Sequence, residues 1–166
     1  MKGGDMVASP ADYATSERVD IAVYSKDDQL QLVVEVKSKT AATADWAARM
    51  RRNLAAHLAI PNAPFFLLAL PDHFYLWRRL PSPLVVVPPD YDVAPAPLLA
   101  PYVADGGRSL RAMSEGGLTL AVSSWLTDLV ASHIDADTAG FHQAWLFESG
   151  LYHAIAGGVV KPQDAL

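Results

Sequence analysis

Alternation of apolar and polar positions is the first regular feature of the chain. In "VDIAVYS", Val19, Ile21 and Val23 alternate with Asp20, Ala22 and Tyr24; in "QLQLVVEVK", Leu30, Leu32, Val34 and Val36 alternate with Gln29, Gln31, Val33, Glu35 and Lys37. Period-two patterning predicts two β-strands, each with one face in a core. Asp27 and Asp28 between them are turn residues, so a hairpin is expected. The period then changes. Over 45–58, Trp46, Met50, Leu54 and Leu58 recur every fourth residue with Arg49, Arg51 and Arg52 off that stripe, which predicts an amphipathic helix with a basic side. "PNAP" closes the helix, "FFLLAL" reads as a buried strand, and "PDH" leads into another strand in "FYLWRRL".

Residues 81–101 are rich in proline and predict one strand running into a rigid linker. Beyond them, Leu118, Val122, Trp125 and Leu129 form a helical stripe, and Phe141, Trp145 and Tyr152 a looser one. Both tryptophans are expected in the core. The organisation that follows is an N-terminal arm over 1–16, an α/β core over 17–90, and a Pro-rich linker with a helical extension over 91–166 that packs on the core. "DGGR" and "EGGL" lack the Lys-Ser/Thr ending of a phosphate loop and read as turns.

Composition narrows the chemistry. With 166 residues, 51% of them hydrophobic and 19% charged, the chain can bury a substantial core. The absence of cysteine excludes disulfides and thiolate metal sites. No apolar run approaches the roughly 18 residues of a membrane span, and the N-terminus has no signal-like apolar segment, so the expectation is a cytoplasmic protein without a membrane partner. A net charge of −5 argues against a generally basic surface, so any nucleic-acid contact must be a local patch. The five histidines show no ligand spacing.

Register can be read from the apolar faces, which both strands must share. With Asp27 and Asp28 as a two-residue loop, Lys26 pairs with Gln29, Ile21 falls opposite Val34, Val19 opposite Val36, and Asp20 opposite Glu35. Opposed side chains have Cβ atoms roughly 4.5 to 5.5 Å apart, so two carboxylates there repel, and one carboxyl is pushed up unless a cation intervenes. A divalent metal would remove the conflict. Lys37 lies on the same face, about 6 to 7 Å along the strand, within reach of a water or phosphate oxygen on that metal.

An Asp on one strand, Glu-x-Lys on the next and a following helix resemble the PD-(D/E)xK superfamily, the restriction-endonuclease-like nucleases, over about residues 17 to 80. The resemblance implies an α/β fold, with a central mixed β-sheet flanked by helices, and Mg²⁺-dependent phosphodiester hydrolysis in which Mn²⁺ substitutes. It implies catalytic roles for Asp20, Glu35 and Lys37. Asp20, Glu35 and the backbone carbonyl of Val36 would hold the metal, and Lys37 would orient or deprotonate the attacking water. Carboxylate and carbonyl oxygens suit a hard ion. The basic residues Lys39, Arg49, Arg51 and Arg52 are the expected contacts to nucleic acid, DNA first. Family members often carry Pro before the first Asp, where Val19 stands here, and a further acid on a helix ahead of the hairpin, for which Asp5, Asp12 and Glu17 are the weak candidates. Two other readings share these residues. One is a catalytically silent module of the same fold that acts through its helical extension, on a partner or as a homodimer. The other is a solvated acidic patch on an unrelated α/β domain.

Overall fold

The computed structural model describes residues 19–57, 61–79 and 84–162. The expected arm, with Asp5, Asp12 and Glu17, and Leu58 of the helical stripe lie outside the described residues. Six strands, β1 (Ile21–Tyr24), β2 (Leu30–Val36), β3 (Phe65–Ala69), β4 (Phe74–Arg78), β5 (Tyr91–Val93) and β6 (Val159–Pro162), form one sheet in the order β5-β4-β3-β2-β1-β6. Only β2 and β3 run parallel, joined by the crossover helix α1 (Ala44–His57); the other neighbours are antiparallel. The later helices are α2 (Ala96–Leu99), α3 (Glu115–Ala131), α4 (Ala144–Glu148) and α5 (Leu151–Ile155). The chain is thus an α/β protein with a six-stranded mixed sheet flanked by helices, and among the described residues no helix is long and apolar enough to cross a membrane.

The hairpin keeps the expected register by a different turn. Ile21 faces Val34 and Val23 faces Leu32, as the apolar pattern requires. The loop, however, has three residues. The Ser25 N–H donates to the Gln29 carbonyl at 2.8 Å, so Lys26 does not pair with Gln29, and Asp28 closes the turn at φ 65°. Asp tolerates this left-handed conformation better than most residues, and a turn ending this way is a standard three-residue hairpin solution. Such a loop moves the ladder by one residue. A bulge restores it: Tyr24 pairs with Leu30 while Val23 pairs with Leu32, leaving Gln31 as the extra residue.

The sheet divides two apolar layers. One face, with Ile21, Val34, Val36, Leu67 and Phe74, packs on α3, α4 and α5 through Leu118, Val122, Trp145 and Ile155. The rings of Trp125 and Trp145 stack there at 6.2 Å, both buried. The other face, with Ala22, Val33, Leu68, Tyr75 and Trp77, is covered by α1. Helix α1 does not seat its predicted stripe. Ala47, Ala48, Arg51 and Leu54 are buried, whereas Trp46 and Met50 are half-buried. The two alanines let the helix lie close to the sheet, and the Arg51 stem provides apolar cover that its charge conceals in the sequence.

The region after residue 90 also departs from a purely helical extension, because it supplies both edge strands. Among the described residues of 81–101, the expected strand forms at Tyr91–Val93, after Pro88 and Pro89, which lack the N–H groups a ladder needs. Phe141 is 90% exposed, and Trp145 and Tyr152 sit on separate short helices, so the looser stripe is not one helix. "DGGR" is a turn, with Gly106 at φ 70° and Gly107 at φ 97°, but "EGGL" opens α3, where the capping Ser114 Oγ accepts from the Gly117 N–H at 3.0 Å.

Two glycines test this packing with opposite signs. A Cβ on Gly158 would lie 1.9 Å from the Tyr24 carbonyl oxygen, so Gly158→Ala must push β6 off the sheet. The expected loss in denaturant unfolding is more than about 3 kcal/mol. A Cβ on Gly116 meets nothing within 4 Å, so Gly116→Ala is expected to stabilise by about 0.4 to 1 kcal/mol.

Candidate active site

The site forms where β1 begins and β2 ends. Asp20 stands one residue ahead of β1, and its Oδ2 accepts from the Val36 N–H at 2.7 Å. That bond ties the side chain to β2 where the ladder runs out. The N–H and C=O of one strand residue point to the same side, so the Val36 carbonyl also faces the β1 side. Glu35 shares the α1 face with Val33 and is 5% exposed, far from the solvated position that Glu on a strand usually takes. Lys37 Nζ lies 3.4 Å from Glu35 Oε2. Glu35 Oε1 is buried and accepts no hydrogen bond among the described residues.

Electrostatics follow from this geometry. Burial, and then the charge of Asp20, push the Glu35 carboxyl up to about 7, against the partial relief that Lys37 gives. Burial also raises Asp20, whereas the Val36 N–H and Lys37 pull it down and Glu115 adds an upward push.

The segment after Lys37 is held in an unusual shape. Ala41 adopts φ 58°, a left-handed conformation that costs a non-glycine residue about 1 to 2 kcal/mol. It is kept there by Asp72, whose Oδ2 accepts from the Ala41 N–H at 2.8 Å, and by the Tyr75 hydroxyl, which donates to the Ala42 carbonyl at 3.0 Å. Arg111, just ahead of α3, approaches the same Asp72 oxygen at 3.5 Å. The turn between β3 and β4 thus braces the loop that carries Lys37 and Lys39.

Of the residues singled out from the sequence, Asp20, Glu35, Val36 and Lys37 come together. The basic set does not stay together. The Lys39 ammonium lies 5.2 Å from the Trp46 ring centre, Arg49 pairs with Asp45 one turn earlier, and Arg52 is exposed. Arg51 must be removed from the surface. It is 3% exposed, donates to the Val85 carbonyl at 2.6 Å and lies over the Trp77 ring. Trp77 pairs with Phe66, at the other end of the sheet from Val36 and Ala69. Helix α1 runs away from the site, so residues 51 and 52 lie about 10 Å or more along its axis from its first residue. Asp72, Arg111 and Glu115 were missed by the sequence reading. The capping pair Ser114-Glu115 signals a helix start, but nothing in it says what that helix end faces.

The donor set fits a hard divalent cation. It offers two carboxylates and a carbonyl, and the orphaned, buried Glu35 Oε1 next to a second acid is the kind of group a cation satisfies. Among the described residues no three His, Asp or Glu side chains converge as a metal-binding group, so an ion there would keep several waters, as Mg²⁺ commonly does. In comparisons with known proteins, no family model, no curated protein and no solved structure matches the chain. The geometry of these residues therefore carries the functional reading by itself.

The raised carboxyls fix the sign of a pH effect. A group whose folded pKa lies above its unfolded value favours folding most when protonated, and that contribution is lost as pH rises. For Glu35 the window runs from its ordinary 4.5 to about 7. In EDTA, the stability of the metal-free protein is expected to fall across this window by about 2 to 3 kcal/mol. Glu35→Gln should remove most of that fall and melt higher than the parent at pH 8. A melting temperature that climbs between pH 5 and 8 equally in both proteins would contradict the buried, unpaired state of Glu35.

Proposed function

We propose that this chain is a metal-dependent nuclease of the restriction-endonuclease-like kind, hydrolysing phosphodiester bonds in nucleic acid, DNA first. The observation that carries the reading is the convergence of buried Glu35, Asp20 and Lys37, with one Glu35 oxygen left without a partner. A sheet in which the Glu-x-Lys strand is followed by a crossover helix and a parallel strand supports it.

Asp20, Glu35 and the Val36 carbonyl would hold Mg²⁺ or Mn²⁺. When bound, such an ion supplies charge neutralisation at the phosphate and a more acidic water. The chain's own contribution is positioning. Asp20 is locked by its bond to the Val36 N–H, so its free oxygen has a fixed direction. Lys37, one-third exposed, can turn its ammonium to the attacking water and to a non-bridging phosphoryl oxygen while staying beside Glu35. In the reaction a water oxygen bonds to phosphorus, the P–O ester bond breaks, and the water proton leaves to a base as the departing alkoxide gains one. Lys39 and Arg49, at the near end of α1, would take phosphates flanking the cut.

The competing reading, a silent assembly module, draws on Phe141 and Leu120 of the extension, which are 90% and 70% exposed. Cleavage separates the two. Saturating Mg²⁺ or Mn²⁺ is expected to raise the melting temperature, by about 2.7 kcal/mol of stability at a hundredfold excess over Kd. Asp20→Asn should lose most of this shift. Lys37→Ala should keep it and lose cleavage of single- and double-stranded DNA and RNA on gels. Replacing Lys39, Arg49 and Arg52 by Ala should lower the salt slope of binding by about 0.7 to 0.9 per lost phosphate contact. Arg51→Ala should instead lower stability, because it strips a buried side chain from Trp77. No metal response and no cleavage in the parent protein would sink the nuclease reading.

A further inference from the structure

Of the four tryptophans in the chain, one stands outside the core. Trp77, Trp125 and Trp145 are no more than 5% exposed, whereas Trp46, in the first turn of α1, is half-buried. Its neighbours Ala47 and Ala48 are buried against the sheet, so the indole sits at the rim of that apolar layer. One face of its ring is left to the Lys39 ammonium, which lies over it 5.2 Å from the centre. Lys39 is exposed and stands two residues after Lys37, on the loop that Asp72 and Tyr75 brace at Ala41 and Ala42. The Trp46 N–H donates to Thr43 Oγ1 at 3.0 Å, which fixes the start of the helix against the same loop. Two residues of chain reach at most about 7 Å, so the indole and its cation border the active site.

We propose that Trp46 and Lys39 form a nucleotide subsite beside the cleavage centre, where an unpaired base stacks on the indole and Lys39 takes the adjoining phosphate, so that the substrate is single-stranded nucleic acid. The inference rests on the nucleic-acid reading given above. Its first support is the balance of charge. Of Lys37, Lys39 and Arg49, the first is paired with Glu35 and the last with Asp45, and Lys39 makes no ion pair among the described residues. A duplex is held through many phosphates, and a chain with 13 Lys and Arg against 18 Asp and Glu places too few cations here for that. Stacking supplies what charge does not. A base on an aromatic side chain is worth about five- to 150-fold in affinity, against about two- to fivefold for an exposed ammonium over a ring, so a base displaces Lys39 from the indole with a net gain. The displaced ammonium, on its flexible four-carbon stem, is then free to meet the phosphate beside that base. The second support is access. Bases inside a duplex are stacked on one another and present no face to a side chain, whereas those of a single strand do.

The test is binding of a labelled oligothymidylate of about 12 nucleotides, and of a blunt duplex of the same length, by fluorescence anisotropy on the full chain in EDTA, where neither metal nor cleavage enters. The single strand is expected to bind at least about tenfold more tightly than the duplex. Trp46→Leu, which keeps an apolar side chain on the layer, should weaken single-strand binding about tenfold with an unchanged salt slope, and Trp46→Phe should restore most of it. Lys39→Ala should instead lower the slope by about 0.7. A further readout needs no variant: iodide reaches Trp46 and not the three buried tryptophans, so the bound strand should remove the iodide-quenchable part of the emission and the duplex should leave it. A duplex bound as tightly as the strand, a folded parent that binds no strand, or Trp46→Leu that binds it as well as the parent with iodide quenching untouched overturns the subsite, and metal response and cleavage still decide the nuclease reading separately. Trp46-dependent binding by a protein that cleaves nothing supports the subsite and removes the nuclease.

Discussion

The register of the β1–β2 hairpin is the constraint on which the site depends. It is fixed by burial, because a slip of one residue would turn Ile21, Val23, Leu32 and Val34 out of their layer and force Glu35 into it. The loop does not set this register. A three-residue turn ending in Asp28 would misalign the strands, and the bulge at Gln31 absorbs the error. Once the apolar faces are matched, Asp20 has nowhere to go but opposite Glu35. Its bond to the Val36 N–H makes that position exact to within one side chain.

This arrangement is costly in the metal-free chain. Two acids share a largely buried corner with one ammonium, and one carboxylate oxygen has no donor. The loop that follows is bent through a left-handed alanine and held by Asp72 and Tyr75. Destabilised charge and backbone strain in adjacent residues make the site a region whose geometry the rest of the fold must enforce. The enforcement comes from the β3–β4 turn on one side and from the deep packing of Val34 and Val36 on the other.

The C-terminal half is integral to that enforcement. Its strands β5 and β6 close both edges of the sheet, and Lys161, over the Tyr24 ring, and Pro162 blunt the β6 edge against further pairing. Helix α3 seals the second apolar face, and the stacked tryptophans fill the space beneath α4. A chain cut after residue 90 would lose both edge strands and one whole layer.

Local patterning determined the hairpin, its register, the crossover helix and the strands around "PDH", because period and turn chemistry act over a few residues. It also determined that Asp20, Glu35 and Lys37 share one face. Residues whose role depends on distant partners were misread. Arg51 carries a charge, and only the nearness of Trp77 and the Val85 carbonyl makes it a core residue. Phe141 is apolar, yet nothing covers its ring enough to bury it. Tyr91–Val93 pairs because β4 offers it an edge, and Val159–Pro162 because β1 does. The burial of Glu35, the brace from Asp72 and the approach of Arg111 to that brace were decided by tertiary structure alone. A sequence specifies which side of an element is apolar, whereas how far that element travels across a sheet, and what its end then meets, is set by the packing of whole layers.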